Sequence, residues 1–293
     1  MTDNDRLFRF IIENSNVRGE MVHLNASWQA VLQRADYPPA VRNLLGEALA
    51  TCALLTATIK FEGSLILQIR GDGPLHLLVA QSTAEGTVRG IARWHADVPD
   101  SGLHDIFGNA QIVITIEPPK NKRGGEPYQG IIALQGDRLS HAIEHYFRQS
   151  EQLNTRLWLA ANNKTCGGFL LQELPGKTPD TDAWPRATQL ADTLTADEIL
   201  NLPVTNVLHR LFHEEDVRLF DAEPISFRCS CSRERIDAVL LSMGTEESHQ
   251  IISEQGKISV DCEFCNAHYE YDAVDIDALF AGNALPDHSS TRH

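Results

Sequence analysis

Four cysteines near the C-terminal end of this 293-residue chain carry its strongest chemical signal: Cys229-Ser-Cys231 and, thirty residues on, Cys262-Glu-Phe-Cys265. Zinc takes four thiolates tetrahedrally, and two short-spaced pairs brought together by an intervening element supply them economically. One zinc ion per chain on Cys229, Cys231, Cys262 and Cys265 is therefore the expected metal centre. The first pair is Cys-x-Cys, whereas structural zinc sites usually carry two to four intervening residues. A disulfide closed across one residue forms a very small ring with little freedom to reach the preferred torsion. Strained disulfides are the labile, regulatory kind. Oxidising either pair also removes two thiolates from the metal. The spacing thus allows a switch between a reduced, zinc-loaded state and an oxidised, metal-free one. A static structural zinc is the alternative.

The elements that must position these thiols are small. RERIDAVLLSMG reads as a short helix, and ISVDCEFCNAHYEYD as a hairpin with the second pair in its turn. A unit of roughly 60 residues has too little core to fold alone, so metal binding is expected to provide much of its folding free energy.

The rest of the chain is a larger body. Apolar residues make up 42% and charged residues 22%, an ordinary globular composition. The start, MTDNDRLFRF, has no apolar segment of a secretory signal, and no run approaches the length of a membrane span. A cytoplasmic protein without membrane association is expected, and clustered cysteines in a reducing compartment point to metal or redox chemistry. The net charge of −15 is uneven: residues 1–176 carry −2 and residues 177–293 carry −13. A field of that sign repels phosphate backbones, so nucleic acid is not an expected partner.

Residues 38–59 open with Pro38-Pro39 and continue with Val41, Leu44, Leu45, Ala48, Leu49, Cys52 and Leu55 at helical spacing, which makes Cys52 a buried core thiol. SLILQIR and LHLLVAQ flank Gly71-Asp72-Gly73-Pro74 as a hairpin. GTVRGIARW and AQIVITIEP extend that sheet, and YQGIIAL pairs back across a basic loop tip carrying Lys120, Lys122 and Arg123. A helix at 138–149 precedes TRLWLAAN and GGFLLQEL, with Cys166 in the turn between them. The fold class is α+β: an antiparallel-rich sheet domain packed with helices over 1–176, a helical linker over 177–228, and a small zinc-binding domain with a tail over 229–293. The linker opens with the Pro- and Asp-rich PGKTPDTDAWP. Thr195-Ala-Asp-Glu198 has capping-box spacing, and Val204, Val207, Leu208, Leu211 and Phe212 form an apolar stripe after Pro203. Such short helices are marginal alone and need a surface to dock on.

Other chemistry finds little support. His141-Ala-Ile-Glu144-His145 matches the pattern of inverted zinc metalloproteases, but no third ligand can be assigned. His209 and His213 share a helix face in the acidic linker and read as surface residues, and the basic loop tip reads as a solvated turn. There is no phosphate-binding loop for ATP, no complete dinucleotide fingerprint and no Ser-His-Asp arrangement, so a non-enzyme without ATP is expected.

With those residues on the page, the whole chain resembles the redox-regulated 33-kDa heat-shock chaperone family of bacteria. The resemblance rests on RGDGPLHLLVAQ and VRGIAR, on CGGFLLQELPG, and on the two cysteine pairs. It implies an ATP-independent holdase, inactive while reduced and zinc-bound and activated by oxidants together with heat or another unfolding stress. It implies that Cys229 pairs with Cys231, and Cys262 with Cys265, on oxidation. It also implies that the segment 177–228 is a metastable linker, that unfolding client proteins are the partners, and that activation accompanies homodimerisation. Cys52 and Cys166 receive no role from it. Loss of zinc would then release the linker and expose Trp184, Leu190, Leu194, Leu208, Leu211 and Phe212 to clients, while the surplus negative charge keeps the complex soluble. Two rival classes share the cysteine spacing. A zinc-ribbon nucleic-acid module is opposed by Asp261 and Glu263 beside Cys262, and a thiol–disulfide oxidoreductase lacks a helix N-terminus at its Cys-x-x-Cys.

Overall fold

The computed structural model describes residues 4–59, 62–119, 126–176 and 179–283. The chain forms two compact units, Met1–Arg228 and Cys229–His293.

The first unit contains two sheets rather than one. The first sheet runs β10 (Val217–Leu219), β1 (Arg6–Ile12), β2 (Val17–Leu24), β9 (Cys166–Glu173) and β8 (Thr155–Ala161), with β11 (Glu223–Pro224) also on β1. The second runs β12 (Ser226–Phe227), β5 (Thr87–Trp94), β4 (Leu75–Thr83), β3 (Ser64–Arg70), β6 (Gln111–Glu117) and β7 (Tyr128–Ala133). Every pairing is antiparallel except β12 on β5. The hairpin over 64–83 and the pairing of β6 with β7 are as the alternation predicts. The extra sheet comes from β1 and β2, whose apolar alternation is broken by Arg9, Arg18 and Glu20.

Helix α1 (Ala26–Leu32) follows β2, and the long α2 (Pro39–Thr58) supplies the core between the two sheets. The apolar stripe read from the sequence is buried, and so are Ala50, Ala53 and Leu54 on the other side, because α2 packs against strands of both sheets. Gly46 makes this approach possible: a Cβ there would stand 2.6 Å from Ala161 Cβ and 3.0 Å from Cys166 Cβ. Helix α3 (Leu103–Phe107) lies between β5 and β6 in the chain, and α4 (Leu139–Tyr146) continues as a π-turn over Phe147–Glu151. Cys52 donates to the Ala80 carbonyl at 3.3 Å, and burial pushes its thiol up to about 12. Cys166 is not in a turn as expected. It opens β9 opposite Leu24 and is fully buried, which raises its thiol well above the ordinary value. Lys120, Lys122 and Arg123 lie outside the described residues.

The segment expected as a helical linker is helical only as far as α5 (Ala183–Ala191), α6 (Ala196–Asn201) and α7 (Val204–Phe212). Beyond them, β10 to β12 add short strands to both sheets, since an extended chain leaving α7 can satisfy its backbone groups on the free edges of β1 and β5. The second unit holds α8 (Arg233–Met243), α9 (Thr245–Gln255), a hairpin of β13 (Ile258–Asp261) and β14 (His268–Tyr271), and α10 (Ala273–Asn283).

Candidate metal centre

Each cysteine pair is set by a simple local element. Cys229 and Cys231 lie in the extended stretch before α8, and Cys262 and Cys265 sit in the turn of the β13–β14 hairpin. That turn is closed by Cys262 N–H to the Ala267 carbonyl at 2.9 Å and by Asn266 N–H to the Cys262 carbonyl at 2.7 Å. Asn266, at φ 56°, adopts the left-handed conformation that asparagine tolerates. The turn points both thiols to one side.

All four Sγ atoms lie within 4.8 Å of one another, and the four cysteines are partly buried and not joined by disulfides. Cys229 Sγ is 3.6 Å from Cys262 Sγ, and Cys231 Sγ is 3.2 Å from Cys265 Sγ. A tetrahedral ion with Zn–S bonds of about 2.3 Å has sulfur–sulfur edges of about 3.8 Å. The donor set and its spread therefore fit a four-thiolate metal. The short separations join one cysteine of each pair, so proximity by itself does not select the Cys229–Cys231 and Cys262–Cys265 pairing.

The electrostatics are uneven. Burial would raise the Cys231 thiol, but hydrogen bonds, chiefly from Tyr269 Oη at 3.3 Å and then from Cys265, outweigh it and bring the group down to about 7. Burial pushes Cys265 up to about 12 and also raises Cys262. Four thiolates this close repel one another, and the positive charge of a bound dication would offset that repulsion and hold its ligands deprotonated. His268, a conceivable nitrogen ligand, is held elsewhere: Nδ1 is 2.6 Å from Asp261 Oδ1 and Nε2 is 3.0 Å from Glu270 Oε1. Glu270 and Asp261 raise its pKa accordingly.

Around the thiols the apolar core is thin. Leu240, Ile258, Tyr271 and Ile276 are its buried members. Arg233 covers the Tyr271 ring at 4.3 Å, and Tyr271 Oη donates to Asp237 at 2.7 Å. The sulfur cluster is the only group of three or more metal-ligating side chains among the described residues. Glu144 of the His141-x-x-Glu144-His145 pattern is engaged structurally, accepting from Leu157 N–H at 2.8 Å and pairing with Arg156 at 3.5 Å. His209 and His213 are exposed.

The six apolar residues singled out in the linker share one cluster in the first unit. Leu194, Leu208, Leu211 and Phe212 are buried, and Trp184 and Leu190 are half-buried against them. The partners on the sheet, Phe10 and Phe169, were not read from the sequence. Their ring centroids lie 6.1 Å and 6.5 Å from Phe212 and 5.6 Å from each other. Gly19, opposite Phe10 on β2, leaves the space for that ring, since a Cβ there would meet Phe10 Cζ at 2.1 Å. At the rim, Asp192 accepts from Arg156 Nη2 at 2.6 Å and from Trp158 Nε1 at 3.2 Å. The His23 ring bonds the Ile199 carbonyl at the heart of the docked segment. A helix terminus is secured by the predicted capping box: Thr195 N–H to Glu198 Oε2 at 2.9 Å and Glu198 N–H to Thr195 Oγ1 at 3.3 Å.

Comparison with known proteins brings these features together. The family model described as Hsp33 protein matches residues 5–272. The 33 kDa chaperonin of Nitrosococcus oceani is 50% identical over 293 residues, all of both chains. That of Pseudomonas savastanoi pv. phaseolicola is 46% identical over 301 aligned positions, covering 100% of this chain and 99% of its own. The crystal structure of the 33 kDa chaperonin from Thermotoga maritima superposes with a TM-score of 0.79 at 23% identity, over 95% of this chain and 98% of that one. That structure shares the fold, and the full-length sequence matches decide the family: the chain belongs to the Hsp33 family of chaperones.

Proposed function

We propose that this chaperone is a redox-regulated, ATP-independent holdase rather than an enzyme, in which Cys229, Cys231, Cys262 and Cys265 hold one zinc ion while reduced. The observation that carries this reading is the convergence of four cysteine sulfurs within 4.8 Å in a unit with only four buried apolar side chains among its described residues. Zinc bound there would supply the cross-link that so small a core lacks. Each disulfide withdraws two thiolates and delivers two electrons to the oxidant, so an oxidised unit retains neither its ligands nor much core. The pairing Cys229–Cys231 and Cys262–Cys265 is the one carried over from the family.

The chain then runs directly into its client surface. Cys229 follows β12 by one residue, and β10 to β12 lead back to α7. Unfolding from residue 229 onward removes the anchor at one end of the segment 177–228, which we take as the regulatory linker of a three-part chain. Trp184, Leu190, Leu194, Leu208, Leu211 and Phe212 lie buried or half-buried on the sheet and become a client-binding surface when that segment lifts. Unfolding proteins are bound by their own exposed apolar groups, in the cytoplasm, by an activated homodimer.

The test follows zinc and activity in one sample. Peroxide at mildly elevated temperature should release one zinc per chain, give the two local disulfides on peptide mapping, and suppress aggregation of an unfolding client without ATP. Hydrogen exchange should rise across 177–228 while β3 and β4 stay protected. A disulfide joining Cys229 to Cys262 would overturn the pairing. Aggregation suppression with the segment still protected would move the client surface elsewhere.

A further inference from the structure

The second sheet carries a histidine pair that the chaperone reading does not use. His76 belongs to β4 and His95 directly follows β5, and their Nδ1 atoms face each other at 3.2 Å, with ring centroids 5.3 Å apart. We propose that this pair is a second metal seat, taking a borderline divalent ion of the zinc and nickel class through two imidazole nitrogens, with water completing the shell.

The backbone builds the arrangement. The register between β4 and β5 pairs Leu75 with Trp94 and Leu77 with Arg93, which leaves His76 as the extra residue of a β-bulge. A bulge re-aims the side chain it carries, and such devices recur beside functional sites. Both backbones are then pinned. The His76 carbonyl accepts from Gly71 N–H at 3.2 Å, and His95 N–H donates to the Pro74 carbonyl at 3.1 Å. Little further ordering is needed for the two rings to act as one chelate.

The spacing has chemical meaning. Metal–imidazole bonds of about 2.0–2.1 Å give a tetrahedral nitrogen–nitrogen edge of about 3.3 Å, close to the 3.2 Å observed. The pair is exposed, so water has access to the remaining positions, and no third protein ligand joins it among the described residues. Imidazole suits zinc and nickel, and two such ligands bind less tightly than four thiolates. The seat is also chemically distinct from the cysteine cluster, because peroxide that would oxidise thiols leaves imidazole donors in place. It holds whether or not the redox reading is correct.

The experiment uses the full-length, tag-free chain, reduced and zinc-loaded so that the thiols are already committed, titrated with Ni²⁺. Imidazole resonances are followed in nitrogen–proton correlation spectra. The expected result is that the signals of His76 and His95 broaden together and first, and that Zn²⁺ alone shifts the same two. His95→Ala should abolish the response at His76, while His104→Ala, at an exposed position of α3, leaves it intact. The i,i+4 pair His209 and His213 on α7 is the internal competitor. Broadening that begins there while His76 and His95 stay sharp would overturn the proposal. So would an undiminished His76 response in His95→Ala, which would mark the two rings as a hydrogen-bonded pair only.

Discussion

Two regions of this chain bury apolar side chains in very different amounts. The segment from Ala183 to Phe212 docks through Ala183, Ala187, Ala191, Leu194, Ile199, Val204, Val207, Leu208, Leu211 and Phe212, all buried against the first sheet. Among its described residues, the C-terminal unit buries only the apolar side chains of Leu240, Ile258, Tyr271 and Ile276. A fully buried aliphatic or aromatic side chain contributes about 1.5–3 kcal/mol, whereas ordering each residue costs about 1–2 kcal/mol. Per residue ordered, the docked helices therefore recover several times more apolar burial than the C-terminal unit, where a metal cross-link would add what the core lacks. Under the proposed function, sensitivity to thiol chemistry would sit where the core is smallest, and the apolar surface to be revealed would be stored where packing can hold it. The linker helices are short, but their docking is not sparse.

The largest effect should come from breaking the weaker region. Cys265→Ser, or removal of metal by a chelator, should unfold residues 229–283, because four-thiolate zinc contributes on the order of 10 kcal/mol to a unit of this kind. Hydrogen exchange should show those amides open while β3 and β4 remain protected. A C-terminal unit that stays folded without metal would erase the contrast between the two regions.

The docked segment should break next. Phe212→Ala removes a ring that is 2% exposed, stacked with Phe169 and tilted against Phe10, at a cost of about 3–5 kcal/mol. Leu211→Asp goes further by placing a charge in the same cluster. Either variant should suppress client aggregation with all four cysteines reduced, scored against the oxidised parent chain. Inactive, reduced variants with the segment demonstrably undocked would mean that the client surface is not on these helices.

A third variant tests the sheet beneath. Glu20 on β2 is 2% exposed, and its Oε2 has no hydrogen-bond partner among the described residues. Burial pushes its carboxyl up to about 7 against the ordinary 4.5, with Arg18 and Arg9 opposing. Below the unfolded value both states are protonated. Between about 4.5 and about 7 only the folded state holds the proton, so its stability falls as pH rises through that window and is level above it. Glu20→Gln should remove the Glu20 share of this slope, leaving that of Glu47, whose buried carboxyl is also raised to about 7, and stabilise the first unit at neutral pH by up to about 3 kcal/mol. Denaturant midpoints at pH 5 and pH 8 would show it, and an unchanged slope would rule it out.

The smallest effect sharpens the comparison within the docked segment. Thr195→Ala removes the side-chain half of the capping box at the start of α6, the Glu198 N–H to Thr195 Oγ1 bond, while the Thr195 backbone N–H can still donate to Glu198, and it should cost about 1 kcal/mol. Local exchange at Glu198 and Ile199 should quicken while α7 is unaffected, since apolar burial rather than capping holds α7.

Much of the chemistry was legible in the residues themselves. A four-thiolate site depends on donor type and short-range spacing, so Cys229, Cys231, Cys262 and Cys265 were readable together, as were the turn that presents the second pair and the Thr195–Glu198 cap. The hairpin over 64–83 and the apolar stripe of α7 were readable for the same reason, because periodicity is a local property. Long-range partners were not. Nothing local tells Phe212 that Phe10 and Phe169 await it, or that Gly19 leaves room for the Phe10 ring. The same holds for β1 and β2, whose charged residues interrupt the alternation, and for Cys166, which becomes a strand residue by pairing with Leu24. Tertiary structure also decided that residues 217–227 complete both sheets and that His76 is turned by a bulge toward His95. Ligand type and period are written along the chain. Which surface a marginal helix or strand finds depends on the free energy of burial across the whole fold.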